Sequence, residues 1–343
     1  MSVDARTNGA PRHGKRGGRG RGGRGERAMV PAAEFTSYYG KPVVKESPWE
    51  ADIPAYLFLG GLAGASSLLA AGADLTGRST LRRSARVSAL AGISVSFAAL
   101  VHDLGKPSRF YHMLRVAKVT SPMSVGTWIL AGYGPLAALA AVSEARGLLP
   151  AVQRRGALGR AAPGVGRAGG LGAAVLGSAV ASYTAVLLSD TATPSWHDAK
   201  DHLPFVFVGS AAAAAGGLGM ITAPLAEAAP ARRMAFVGAA VDLAVNQAME
   251  SSMGITAQPM HEGRAGAYLK AAKGLNAAGG LLAALGGRSR AVSVAAGAAL
   301  LAGSVCTRFG IFHAGQQSAR DPRYTVVPQR ERVDAEGAAA VSG

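Results

Sequence analysis

The chain has 343 residues, a mass of 34.5 kDa and a mean hydropathy of +0.21, although 36 Lys and Arg outnumber 20 Asp and Glu. Charged residues are only 16% of it, against about a quarter in soluble domains, so long charge-free blocks must exist. Neither an ordinary soluble basic protein nor a wholly disordered chain fits. One cysteine, Cys306, leaves no internal disulfide, no Cys-ligated iron–sulfur cluster and no CxxC zinc pattern.

Residues 1–48 read as a basic Gly/Arg-rich disordered tail, with eight of the basic residues in the first 27 positions and almost nothing that packs a core. It lacks the apolar stretch of a signal peptide. Such runs are usually solvated leaders, and no specific nucleic-acid binding is expected of it.

From Pro54 the character changes. The segment 54–73 is uncharged and close to the ~20 residues that a bilayer core demands. Further uncharged runs follow at 123–143, 168–189, 203–226 and 291–307, and 87–102 is nearly as clean. Two weaker segments complete the set. One, 234–250, carries Asp242; the other, 265–287, carries Lys270 and Lys273, whose stems can reach the interface. The expected architecture is an all-α integral membrane protein of eight transmembrane helices in two four-helix bundles. This membrane domain covers 49–313, and 314–343 forms a hydrophilic C-terminal tail.

An even number of crossings places both termini on one side, face A. The loops 103–122, 190–202 and 251–264 join them there, and 74–86, 144–167, 227–233 and 288–290 fall on face B. All seven histidines and all three tryptophans, Trp49, Trp128 and Trp196, then lie at face A. Face B carries 13 Lys and Arg, whereas the short face A loops carry six. The positive-inside rule points face B inward, and the basic tail argues the other way, so orientation stays open.

The densest chemistry runs from His102 through Asp103, Lys106, Arg109 and Tyr111 to His112. An acid, imidazoles and cations at a hydrocarbon edge suit a quinone head, whose reduction takes up two protons and whose carbonyls accept hydrogen bonds. Equally, Asp103 could pair with Lys106 or Arg109 and simply close the loop. The loop 190–202 holds His197, Asp198, Asp201 and His202, but His197 and His202 are five apart in a Pro-broken segment, a poor metal geometry. That loop reads better as a partner contact. Haem would need facing histidines at mid-depth, and the histidines sit at helix ends, so neither haem nor metal is expected in this chain. Asp242, Asn246 and Glu250 are spaced i, i+4, i+8 along one helix face. They suggest a proton path, or more blandly a face neutralised by Lys270 or Lys273.

Four runs together resemble the NrfD/PsrC family. They are Tyr56-Leu57-Phe58-Leu59-Gly60-Gly61-Leu62-Ala63-Gly64; Asp103-Leu104-Gly105-Lys106-Pro107 with Arg109-Phe110; Ser121-Pro122-Met123-Ser124-Val125-Gly126-Thr127-Trp128; and Tyr183-Thr184-Ala185-Val186-Leu187-Leu188-Ser189 before Pro194 and Trp196. They span roughly residues 50 to 325 in order. Lys106 replaces the family's usual Arg, keeping charge without the planar fork, and Ala185 replaces a Gly. The resemblance implies a quinone-interacting membrane subunit of a multi-subunit polysulfide reductase-type oxidoreductase in the cell membrane. It would exchange electrons with a ferredoxin-like iron–sulfur subunit that serves a molybdopterin catalytic subunit. It further implies a quinone, expected to be menaquinone, as substrate, with Tyr56, Asp103, Arg109 and Tyr183 at the pocket edge and His102 added by proximity. Lys106, Arg115, Trp196 and His197 are the expected partner-docking residues. The other readings are a purely structural membrane anchor for a soluble oxidoreductase and a secondary transporter; no internal repeat supports the latter.

Overall fold

The computed structural model describes residues 41–104, 106–145, 156–285, 287 and 289–342. Almost all of the 1–48 tail, together with Arg146, Arg154, Arg155 and Arg288 of face B, lies outside them. In chain order the helices are α1 (Asp52–Leu75), α2 (Ser79–His102), α3 (Pro122–Glu144), α4 (Ala157–Ser189), the short α5 (Pro194–Asp198), α6 (Leu203–Thr222), α7 (Ala229–Ser252), α8 (Gly263–Leu285), α9 (Arg290–Arg320) and α10 (Arg323–Ser342). Two 3-10 segments, Pro107–Arg115 and Gly254–Met260, lie in the loops after α2 and α7. The described residues contain no strand.

Among the described residues six helices, α1, α2, α3, α4, α6 and α9, are long and apolar enough to cross a membrane. The chain is an integral membrane protein. Of the remaining long helices, two are the weaker segments of the sequence: α7 carries Arg232, Arg233, Asp242 and Glu250, and α8 carries Arg264, Lys270 and Lys273.

The first four long helices pack as a ring, α1 on α2, α2 on α3, α3 on α4 and α4 back on α1. A second ring joins α6, α7, α8 and α9 in the same way, and α6 also packs against α1 and α4. Lipid offers no hydrophobic drive between helices, so close backbone packing must hold the rings together. Gly64 and Gly177 supply it between α1 and α4, since a Cβ on either would run into the other's backbone. Gly217 and Gly297 do the same between α6 and α9.

Three boundaries differ from the hydropathy reading. Helix α2 starts at Ser79, so Arg82, Arg83 and Arg86 are helical and not part of a 74–86 loop. Two of the three are neutralised by other helices: Arg82 Nε and Arg86 Nη1 each lie 2.8 Å from Glu144 Oε1, and Asp74 joins from α1, 3.2 Å from Arg82 Nη1. Arg86 is 5% exposed. The α2 N-terminus is capped from the second ring, where Glu227 Oε2 accepts from the backbone N–H groups of Thr80 (2.8 Å) and Leu81 (3.0 Å). Those two bonds hold the Glu227 carboxyl below its ordinary range. Helix α6 stops at Thr222, because Ala223 precedes Pro224 and is extended. Finally, α9 continues past 307 to Arg320, carrying the charged Arg308 into the core, where it is 1% exposed.

Candidate functional site

At the face A ends of the helices two of the three tryptophans come into direct contact. Trp49 stacks on Trp196 with ring centroids 5.9 Å apart, and Trp196 in turn meets Phe312 at 5.7 Å. The Trp196 Nε1–H donates to the Ile311 carbonyl (2.9 Å), and its ring lies against Gly315, where a Cβ would collide with it. Trp196 is wholly buried. The indole clamps α5 to α9. His197 beside it is exposed, with Nδ1 3.2 Å from the Ser189 carbonyl. Lys106 and Arg115 are exposed as well.

Within the first ring, α1, α2, α3 and the 3-10 segment after α2 line a half-open cavity of about 380 Å³. Its wall is almost entirely apolar, with Ile93, Phe97, Leu100, Phe110, Met113 and Leu130 among its residues and Tyr56, Ser94 and Thr127 as its hydroxyls. Phe97, Phe110 and Leu114 line the cavity and are themselves exposed. Ala131 and Pro135 lie on the α3 side. Proline has no N–H, so Pro135 gives the Ala131 carbonyl no helix bond.

Behind that wall, the hydroxyls of Tyr56 and Tyr183 are hydrogen-bonded across α1 and α4, both rings being buried. Gly126 makes room for Tyr183, because a Cβ there would strike its ring. The fold therefore converts three of the sequence runs, around Tyr56, Gly126 and Tyr183, into one contact. Ser96 supports the same corner from α2, its hydroxyl donating to the Tyr56 carbonyl (3.0 Å).

The other residues expected at the pocket edge sit around its end and are not part of its wall. His102 Nδ1 pairs with Asp52 Oδ2 at 2.7 Å, and its side chain is 80% exposed. Asp103 caps α2 as the next residue and is partly buried. That burial, reinforced by the neighbouring Asp52 and Glu50 carboxylates against an opposing backbone hydrogen bond, raises its carboxyl above the ordinary range. Among the described residues Asp103 forms no ion pair with Lys106 or Arg109 within 4.0 Å. Arg109 is exposed on the 3-10 segment. Leu104 and Phe110, from the same motif, are the residues that do reach the cavity.

A second polar cluster lies inside the other ring. Asp242, Asn246 and Glu250 occupy one face of α7 as the spacing requires, Asp242 and Asn246 being fully buried. Glu250 Oε2 pairs with Lys273 Nζ at 2.7 Å, as the neutralising reading had it. Asp242 does not use a lysine. Its Oδ2 accepts from Asn276 Nδ2 on α8 (2.5 Å), and Arg308 on α9 acts on it electrostatically. Arg308 also donates to the Phe207 carbonyl (2.8 Å) and stacks over that ring at 3.7 Å. Asn276 and Arg308 were not singled out from sequence. The available signal was the spacing Ser304, Arg308 on α9, a polar i, i+4 pair like Asp242, Asn246 on α7.

No match was found among curated proteins. A family model described as polysulphide reductase, NrfD, matches residues 42–235, more than half of the 343. The match takes in the whole first ring, the apolar cavity and the Tyr56–Tyr183 contact, and it ends in the second turn of α7. By its sequence and its helical membrane fold, the chain belongs to the polysulphide reductase NrfD family.

Proposed function

We propose that this chain is the quinone-interacting membrane subunit of an oxidoreductase complex, with the quinone head seated in the apolar cavity of the first ring. The observation that carries the reading is that cavity: about 380 Å³, apolar, with the buried Tyr56–Tyr183 hydroxyl pair at its wall. Its volume falls in the ~300–1,000 Å³ range of small-molecule pockets, which typically pair apolar walls with few polar groups. Exposed Phe97, Phe110 and Leu114 at its rim suit entry of an isoprenoid chain from the bilayer. A purely structural anchor needs no such cavity.

Reduction of a quinone consumes two electrons and two protons. In this reading the Tyr56 hydroxyl donates to one carbonyl oxygen and is itself fixed by Tyr183. Asp103, whose partly buried carboxyl holds its proton to higher pH than usual, stands at the end of α2 to pass protons inward, with the His102–Asp52 pair on its solvent side. Electrons come from or go to a docked iron–sulfur subunit, which serves a molybdopterin catalytic subunit, and exposed Lys106, Arg115 and His197 belong to its docking face. We assign α1–α4 and α6–α9 as eight crossings of the plasma membrane, in two four-helix bundles, and menaquinone as the quinone.

The test is a menaquinone titration of the full chain in nanodiscs, read by tryptophan fluorescence quenching. Gly134 lines the cavity and a Cβ there meets nothing within 4 Å, so Gly134→Leu fills the space without a backbone clash. Saturable quenching in the native chain, with affinity at least tenfold weaker in Gly134→Leu, supports the site. Identical saturation in both would remove the quinone from this cavity.

A further inference from the structure

The second ring holds a set of buried polar atoms that the quinone reading does not use. Asp242 Oδ1, Asn246 Oδ1, Asn276 Oδ1 and the Nε and Nη1 of Arg308 make no hydrogen bond to the protein, and each residue is 0–1% exposed. Glu250 Oε1 is a sixth such atom. Buried polar groups are almost always satisfied, and an orphan is costly. A single orphan is unremarkable, whereas six in one cluster, contributed by α7, α8 and α9, call for shared solvent.

Their spacing suits it. Asp242, Asn246 and Glu250 succeed one another by four residues, about 6 Å of rise per step. That is too far for direct hydrogen bonds, and about the span of one water making two bonds of ~2.8 Å. The two ends also differ. Glu250 is next to solvent, with Lys273 at 2.7 Å and the half-exposed His261 Nε2 at 3.8 Å. Asp242 lies ten residues inside the end of α7, about 15 Å deep. There α6 presses against it at Gly209 and brings no titratable side chain, α8 contributes neutral Asn276, and α9 contributes the Arg308 cation.

We infer that this stripe is a water-filled proton entry that runs from His261 and Glu250 at face A to Asp242, and ends there. A proton arriving from solvent at Glu250 passes along bridging waters, each hop breaking one O–H bond and forming the next. The last hop forms an O–H bond on the Asp242 carboxylate, which becomes neutral while Arg308 keeps its charge. Arg308 closes the inner end: its guanidinium is pinned by the Phe207 carbonyl and ring, and its Nη2 is 3.2 Å from where a Cβ on Gly61 of α1 would lie. The inference stands independently of the quinone site.

Infrared difference spectra of the full chain in liposomes after a pH jump would test it without any partner or quinone. We expect a protonated-carboxyl C=O band that titrates, that shifts when aspartate is carbon-13 labelled in the unaltered chain, and that Asp242→Asn abolishes. Asn246→Leu removes the middle bridge and should slow the band's appearance at least tenfold. The isotope shift needs no variant to fold. A chain with no titrating, label-sensitive carboxyl band, or one whose rate is unchanged by Asn246→Leu, would make the cluster a static packing element.

Discussion

The Tyr56 and Tyr183 hydroxyls, 127 residues apart in the chain, meet at the wall of an apolar cavity between the first helices of the fold. Each ring is positioned by a different neighbour, Tyr56 through the Ser96 bond to its carbonyl and Tyr183 by the surface that Gly126 leaves bare. The pair is thus held on both sides before any ligand arrives, which limits the ordering cost of binding.

Removing one hydroxyl of this pair should weaken quinone binding without unfolding the ring. Tyr56→Phe forfeits one hydrogen bond and strands its partner, about 1 kcal/mol or roughly fivefold in affinity. Tyr183→Phe should act more mildly, because it loses only the group that orients Tyr56. The nanodisc titration distinguishes the two, and equal affinity in all three chains would take the tyrosines out of the site.

Gly126 should tolerate no side chain. A methyl group there collides with the Tyr183 ring, and overpacking of this kind costs about 1–3 kcal/mol. Thermal unfolding of Gly126→Ala in detergent should show the loss, and Tyr183→Leu combined with it should recover part of the stability. If the two losses simply add, the collision is not their cause.

Arg86 should be among the most sensitive positions at the opposite end of the first ring. It is nearly enclosed, bonds Glu144 at 2.8 Å and lies 3.7 Å from Asp74. Arg86→Met leaves these carboxylates with only the partly exposed Arg82 and the exposed Arg167. Breaking a buried ion pair from one side costs about 3–5 kcal/mol. The paired change Arg86→Met with Glu144→Gln should recover much of it, a double-mutant cycle that a merely exposed network would fail.

Glu227 should give the fold an acid-sensitive seam between the rings. Its carboxyl is held below the ordinary value of 4.5, mainly by the backbone hydrogen bond from Leu81. A lowered folded value means that the contribution to stability is complete above the unfolded value and is lost as pH falls through the folded one. Glu227→Gln should therefore lower the unfolding temperature at neutral pH, and the gap to the native chain should narrow as pH falls below the ordinary value of 4.5. A gap that is constant with pH would show that the charge is not what caps α2.

Much of the architecture follows from composition alone. Uncharged runs of bilayer length dictate α1, α3 and α6, since a backbone in lipid must satisfy its own polar groups and the helix is the local way to do so. The i, i+4, i+8 spacing likewise places Asp242, Asn246 and Glu250 on one face whatever the neighbours are. Other outcomes depended on residues distant in sequence. Arg82 and Arg86 read as loop because the acids that neutralise them, Asp74 and Glu144, come from different helices. Arg308 read as the end of a span because its partners, Asp242 and Phe207, lie 66 and 101 positions earlier. Trp196 read as an exposed rim residue until α9 supplied Gly315 to receive its ring. Local hydropathy records the cost of placing a group in lipid, but the compensation for that cost comes from contacts made only when the helices pack. For that reason the spans were legible in the sequence, while the cavity, the tyrosine pair and the buried cation were decided by the tertiary fold.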